Sequence, residues 1–286
     1  MSRPAVQFAE VSASRGGRGV LHDVSLSIEA GETVALVGRS GSGKTTLLRL
    51  VNRLLDPDRG QVRVDGRDTR EWDAIALRRR TGYVIQDAGL FPHVTVADNI
   101  ATVPRLLAWP EARVQARVDE LLSIVGLEPT GYRNRWPDEL SGGQRQRVGL
   151  ARALAADPPV LLMDEPFGAL DPVTKGELHA EFRKVQNRGP QRGSRAGVEA
   201  SLHRTVILVT HDISEAMALA DRIAVLHDGR VIACDTPDLM RGSEDPRIRS
   251  LFGELRLTAF AEASAVKKPE ATSGASPSDP SPSDVE

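Results

Sequence analysis

Short alternating and continuous apolar runs organise the first part of the chain. Val24, Leu26 and Ile28 alternate with Ser25, Ser27 and Glu29, the period of a strand with one buried face. Residues 33–37, Thr-Val-Ala-Leu-Val, are continuous and β-branched, which predicts a central strand covered on both faces and ended by Gly38. A glycine-rich loop follows. Leu47, Leu48, Leu50, Val51, Leu54 and Leu55 then recur at helical spacing, predicting a helix over 45–55. Residues 160–163 and 206–209 read as two more buried strands, and 223–226 with 231–233 as a hairpin about Asp228-Gly229. Buried strands separated by helices predict an α/β fold. Between about 97 and 156 the strand signal disappears while 111–125 and 144–154 keep helical spacing, so a helical subdomain inserted in the α/β core is expected. No repeat is visible at the periods of solenoids or propellers.

Composition narrows the picture. The 286 residues suffice for one large domain or two ordinary ones. Lys plus Arg number 37 against 39 Asp plus Glu, so no global basic field exists to hold nucleic acid, which is set aside as a partner. Aromatic residues make up only 4% of the chain, which leaves few platforms for stacking bases. The lone Cys234 cannot form an internal disulfide and suits a reducing compartment. MSRPAVQFAE has no apolar signal core and no run approaches the ~18 apolar residues of a membrane span, so a soluble, cytosolic chain is expected. Residues 267–286, KKPEATSGASPSDPSPSDVE, have almost nothing to bury and are expected to form a disordered tail.

Three segments carry chemistry. Gly38-Arg39-Ser40-Gly41-Ser42-Gly43-Lys44-Thr45, followed by Thr46, matches G-x-x-x-x-G-K-[ST]. Its glycines let backbone N–H groups curl around a phosphate, Lys44 would reach the β- and γ-phosphates, and Thr45 would ligate Mg²⁺. An ordinary glycine-rich βα turn is outweighed by the buried strand before the loop and the helix after it. In the second segment the strand at 160–163 ends in two carboxylates. Asp164 suits a direct or indirect Mg²⁺ role, and Glu165 can polarise an attacking water. In the third, Leu140-Ser141-Gly142-Gly143-Gln144 places Ser141 as a helix cap with two glycines that admit close backbone approach. Alone it would be a capped helix and little more.

The order GRSGSGKTT, Gln86, LSGGQ, VLLMDE, Ala169-Leu170-Asp171 and His211 resembles the ATP-binding subunits of ABC transporters, over about residues 6–240. The resemblance implies a P-loop NTPase core of the RecA-like kind with an antiparallel β subdomain and an inserted α-helical subdomain near 97–156. It implies an ATPase domain over 1–240, a C-terminal extension over 241–266 and the tail beyond. It also implies a homodimer in which two ATP molecules with Mg²⁺ lie between chains. Lys44 and its loop would come from one chain, and Ser141, Gly142, Gly143 and Gln144 from the other. On the matching positions, Gln86 contacts the Mg²⁺ or the attacking water, Asp171 communicates across the dimer, and His211 bonds the γ-phosphate. The expected place is the cytoplasmic face of a membrane, held there by integral permease subunits that receive solute from an extracytoplasmic binding protein.

Residues 51–54, 82–86, 89–93 and 107–110 resemble the subunit of quaternary-amine importers, which take up glycine betaine, carnitine or choline. An importer of another small solute, such as an amino acid or phosphate, is the alternative. A non-transport ATPase acting on ribosomes or DNA is a further one, disfavoured by the near-neutral charge, and Glu165 argues against a nucleotide-gated module without turnover. Two departures stand out. Residues 187–201 insert NRGPQRGSRAGVEAS where the family has a short link, and Arg15 occupies the place of an aromatic ring that stacks on adenine.

Overall fold

The computed structural model describes residues 3–168, 170–187 and 204–253. The expected tail at 267–286 and residues 188–201 of the insertion lie outside them. The chain opens with a hairpin, β1 (Val6–Arg15) and β2 (Arg18–Ile28), then enters β3 (Thr33–Val37) and α1 (Lys44–Val51). Next come β4 (Arg59–Val64), β5 (Arg67–Asp68), α2 (Ala74–Arg80) and β6 (Thr81–Val84). Four helices follow, α3 (Val96–Leu106), α4 (Glu111–Ile124), α5 (Pro129–Tyr132) and α6 (Gly142–Leu154). The chain then returns through β7 (Val160–Asp164), α7 (Pro172–Asn187), β8 (Thr205–Val209), α8 (Ile213–Leu219), β9 (Arg222–His227), β10 (Arg230–Asp235) and α9 (Pro237–Arg241).

Two sheets result. One is antiparallel, in the order β2-β1-β4-β5. The other runs β10-β9-β3-β8-β7-β6 and is parallel except for the edge strand β10. Every residue of β3, β7 and β8 is buried, which is why their sequences are continuous apolar runs. Alternation along these strands sorts their side chains between two cores. Leu161, Met163, Val206 and Leu208 pack with residues of α3, α4 and α6, while Val160, Leu162, Ile207 and Val209 pack against α1 and the antiparallel sheet. A third cluster joins Val37, Ile223 and Val225 to Met240, Ile248 and Phe252, so the packed core runs past position 240.

The expected helix over 45–55 ends at Val51 instead. Asn52 caps it, Arg53 takes φ 53°, and Leu54 is 46% exposed. The amides of Leu54 and Leu55 both donate back to the Arg49 carbonyl, so the last leucines belong to a closing turn rather than to the helix face. The hairpin about Asp228-Gly229 forms as read, with φ of 46° and 71° at the two turn residues.

A buried charge cluster ties the helices to the sheet at the end where β7 and β8 begin. Asp157 accepts from Arg117 Nη2 of α4 at 2.6 Å and from Arg204 Nη2, just before β8, at 2.7 Å. Arg117 and Arg204 are 8% and 3% exposed; Arg117 also donates to Glu120 Oε2 at 2.7 Å, and Asp157 is the carboxylate the two guanidinium groups share. Asp157→Ala is expected to destabilise the chain by about 3 kcal/mol in urea unfolding, because two buried guanidinium groups lose their shared counter-charge. Asp157→Asn, which retains one acceptor oxygen, should fall between that variant and wild type. Unfolding midpoints that match wild type for both variants would remove the cluster from the stability account.

Candidate active site

The C-terminal ends of β3, β7 and β8 lie side by side, with Leu36 and Asp164 each paired in register with Val209. Ligand sites in parallel α/β sheets form at such ends. A cleft of about 830 Å³ opens there, bordered by the loop after β3, the carboxylates after β7 and His211 after β8.

The loop after β3 owes its path to glycine. Gly38 and Gly43 have φ of 149° and 106°, and a Cβ on Gly43 would come within 2.5 Å of Leu21 Cδ2. A Cβ on Gly38 would meet the Leu226 carbonyl. Gly43 also caps α1 without any side-chain bond, so the first amides of that helix are left for a ligand. Lys44 Nζ donates to the Gly38 and Arg39 carbonyls at 2.8 and 3.0 Å, which folds the lysine over the loop. Burial pulls its ammonium below the ordinary lysine value, against the charges of Glu165 and Asp164, which pull it up. Gly38, Ser40, Gly41, Gly43, Lys44, Thr45 and Thr46 line the cleft. Arg39 contributes its carbonyl, and Ser42 lies behind the loop with a buried hydroxyl that has no hydrogen-bond partner.

Thr45 Oγ1 donates to Asp164 Oδ1 at 3.0 Å. Burial raises the Asp164 carboxyl above the usual range, the Thr45 bond opposes this and the Glu165 charge adds to it. A hydroxyl beside a desolvated carboxylate fits a hard divalent cation, whose charge would offset the cost of burying Asp164. One residue on, Glu165 turns out of the sheet at φ 49°, a conformation that costs a non-glycine residue about 1 kcal/mol and is found at functional sites. Its amide still donates to the Val209 carbonyl at 2.9 Å, so the turn is anchored. Gln86 Nε2 donates to Glu165 Oε2 at 3.2 Å, and His211 Nδ1 stands 3.4 Å from the same oxygen. The structure therefore gathers Lys44, Thr45, Gln86, Asp164, Glu165 and His211 from four separate stretches of chain. Arg15 also lines the cleft, at its outer edge with Val20.

Ser141 to Gln144 and Asp171 do not line this cleft. Ser141 Oγ accepts from the Gln144 amide at 3.2 Å, and Gln144 Oε1 accepts from the Ser141 amide at 3.0 Å, a reciprocal cap on α6. Asp171 Oδ1 accepts from the Thr174 amide at 3.0 Å at the start of α7. Val20, Arg49, Tyr83, Ile85 and Asp87 also line the cleft, and sequence reasoning missed them. Arg49 had a usable signal: it stands one helical turn beyond Thr45 and so shares its face.

The ABC transporter family model matches residues 21–168. The chain belongs to the ABC transporter family. The choline transport ATP-binding protein OpuBA of Bacillus subtilis (strain 168) is 46% identical over 244 residues, covering 85% of this chain and 60% of its own. The glycine betaine uptake system ATP-binding protein YehX of Escherichia coli (strain K12) is 45% identical, covering 88% of this chain and 78% of its own. A dimeric ATP-binding cassette solved in a post-hydrolysis state with ADP and Pi is similar at a TM-score of 0.71 and 33% identity, over 81% of this chain and 98% of that one. The present fold is thus an ABC ATPase cassette of the P-loop NTPase kind. The match spans 60% of the length of OpuBA and of the Bacillus subtilis glycine betaine/carnitine/choline protein OpuCA.

Behind the cassette's Glu165 turn, Phe167 is fully buried and meets the His179 ring of α7 edge-on at 4.6 Å. His179 Nε2 is buried without a partner, and burial, helped by the Lys175 charge, pulls the imidazole down to about 4. In the unfolded chain the same ring protonates near 6.5. The unfolded state therefore binds more protons between these values, so the contribution present above pH 6.5 is lost as pH falls toward 4. Allowing for solvent screening, this component is on the order of 1–2 kcal/mol. Urea midpoints at neutral and mildly acid pH should show it, and His179→Leu should lose it. An unchanged pH slope in that variant would assign the acid sensitivity elsewhere.

Proposed function

We propose that this chain is the ATP-hydrolysing subunit of an ABC importer for quaternary amine osmoprotectants such as glycine betaine, carnitine or choline. The observation that carries the reading is the convergence of Gln86 and His211 on one carboxylate oxygen of Glu165, beside a Lys44-Thr45 phosphate loop. The amides of the loop and the Lys44 ammonium bind the β- and γ-phosphates of ATP. Thr45 and Asp164, with Gln86 beside them, hold Mg²⁺, which supplies charge neutralisation at the phosphate oxygens. Glu165 orients and polarises the attacking water, Gln86 fixes the direction of that carboxylate, and His211 donates to the γ-phosphate as charge develops on it. Arg15 and Val20 face the base.

The chain works as a homodimer. Ser141, Gly142, Gly143 and Gln144 sit on a preformed helix cap away from the chain's own cleft, which is what a site shared head to tail requires, and Asp171 lies at the helix start that would face the opposite chain. Among the described residues no helix is long and apolar enough to cross a membrane, in keeping with a peripheral subunit held on the cytoplasmic face by integral permease subunits, with a solute-binding protein beyond. The permease contact is the segment from Gln86 to Asn99, whose Gly89 and Phe91 border a groove of about 310 Å³ shared with Arg78, Tyr83, Ile85 and Arg152. Leu90 packs inward on the helical core, whereas Phe91 is 43% exposed and held in place by Asn99, whose Oδ1 accepts from the Phe91 amide at 2.8 Å. The solute class is supported by the likeness to OpuBA, OpuCA and YehX.

Glu165→Gln should bind ATP, lose turnover by at least about 100-fold and accumulate as a dimer in size-exclusion chromatography with ATP. Lys44→Ala should instead lose nucleotide binding. Near-normal steady-state hydrolysis by Glu165→Gln would sink the assignment.

Arg15 generates a separate expectation. A guanidinium can stack on a base, at about 0.5–2 kcal/mol, but it offers less apolar area than a tyrosine ring. Arg15→Tyr is therefore expected to tighten ATP binding roughly three- to tenfold and to sharpen the preference for ATP over GTP. Titrations with both nucleotides decide it: affinities unmoved in both Arg15→Tyr and Arg15→Ala would show that this position is not the base platform.

A further inference from the structure

His211 is 68% exposed, so little packing fixes its direction. Its two neighbours, by contrast, are tied into a charge network. Thr210 Oγ1 donates to Glu215 Oε2 at 2.5 Å, and the Asp212 amide donates back to Thr210 Oγ1 at 3.0 Å. Asp212 Oδ1 accepts from the Ser214 and Glu215 amides and so caps α8. The remaining oxygens, Asp212 Oδ2 and Glu215 Oε1, both lie 2.5 Å from Lys175 Nζ of α7. Glu215 is 3% exposed, which makes Lys175 its necessary counter-charge.

The same helix reaches the other half of the site. His179, one turn beyond Lys175, packs on Phe167, two residues after Glu165. At the other end, the Lys175 amide donates to the Asp171 carbonyl at 2.9 Å. Helix α7 therefore touches the backbone turn that carries Glu165 and the one that carries His211, and it begins at Asp171.

We infer that Lys175 is a positioning residue for ATP hydrolysis: its bonds to Asp212 and Glu215 hold His211 in register with Glu165 and join that register to the Asp171 end of α7. The inference rests on the ATPase reading above. It follows from geometry, because the three residues 210–212 have both flanking side chains anchored on one network, leaving His211 to project from a fixed base. Without the ammonium, Glu215 becomes a buried carboxylate with no cation beside it, and the turn relaxes toward water. Lys175 does not itself line the cleft and acts through the His211 turn.

The test is a double-mutant cycle on the full chain, read by ATPase kinetics and by ATP binding. Lys175→Met is expected to lower kcat about tenfold while the ATP Kd stays within about twofold, and Lys175→Arg to restore most of the loss. In a His211→Ala background, measured under single-turnover conditions, Lys175→Met should add less than a roughly twofold further loss. Because Lys175→Met strands a buried charge, Lys175→Met/Glu215→Gln supplies a neutral pair that retains the Thr210 acceptor, and it should show the same defect with near-normal thermal stability. A full multiplicative loss in the His211→Ala background, or normal turnover in the neutral pair, overturns the inference. The His211 ring resonance, identified by its absence in His211→Ala, should also move in Lys175→Met and return in Lys175→Arg. A resonance that does not move overturns the placement even if the chain proves not to hydrolyse ATP, so the two readings fail separately.

Discussion

The buried parallel run of β3, β8 and β7 is the constraint on which the rest of this cassette depends, because a strand covered on both faces can carry polar side chains only where it leaves the sheet. All three strands are apolar to their last residue or the one before it, and each then delivers its chemistry at once: Gly38 and the phosphate loop, Asp164 and Glu165, Thr210 and His211. In-register pairing brings these exits together without any further device. The desolvation that raises the Asp164 carboxyl and lowers the Lys44 ammonium is the cost of that placement, and opposite charges within the cleft partly offset it.

How much of this was legible in the sequence depends on how local each interaction is. The phosphate loop could be read from 38–46 alone, since the chain needs only the closely spaced Gly38, Gly41 and Gly43 and the lysine to wrap an anion. The buried strands could be read for the same reason: burial on both faces writes itself as an unbroken apolar run. Gln86 and His211 came only through family resemblance, because each is one polar residue after a strand and nothing nearby marks it. Val20 and Tyr83 stayed invisible for a related reason. They reach the cleft across a hairpin and from a neighbouring strand, so their role is a property of the assembled sheet. The helix expected to reach 55 failed at Arg53, where a left-handed residue turns the chain without the glycine that usually announces such an end.

Charge was the least legible property of all. Nothing in the residues around Lys175 on α7, or around Asp212 and Glu215 at the start of α8, links the two segments. Only the fold shows that Lys175 closes a buried network 37 positions away in sequence. Asp157 is similar: it stands between α6 and β7, yet its Oδ1 receives both Arg117 and Arg204.

These contacts divide the molecule unequally. At the end where β7 and β8 begin, the helical layer is fixed to the sheet by charge-assisted bonds of 2.6 and 2.7 Å among side chains that are nearly all buried. At the cleft end, the side chain and carbonyl of Gln86 make longer bonds, Gln146 Nε2 to the Gln86 carbonyl at 3.4 Å and Gln86 Nε2 to Glu165 at 3.2 Å, while Arg152 of α6 ties down the Ala88 and Gly89 carbonyls just beyond at 2.7 and 2.8 Å. Single hydrogen bonds such as those of Gln86 contribute about 1 kcal/mol net, against several for breaking a buried ionic one. Gln86 itself is thus lightly tied to both α6 and Glu165, although the loop after it is fixed by Arg152, so a ligand in the cleft has only weak direct contacts to compete with when it sets the spacing of Gln86 and Glu165.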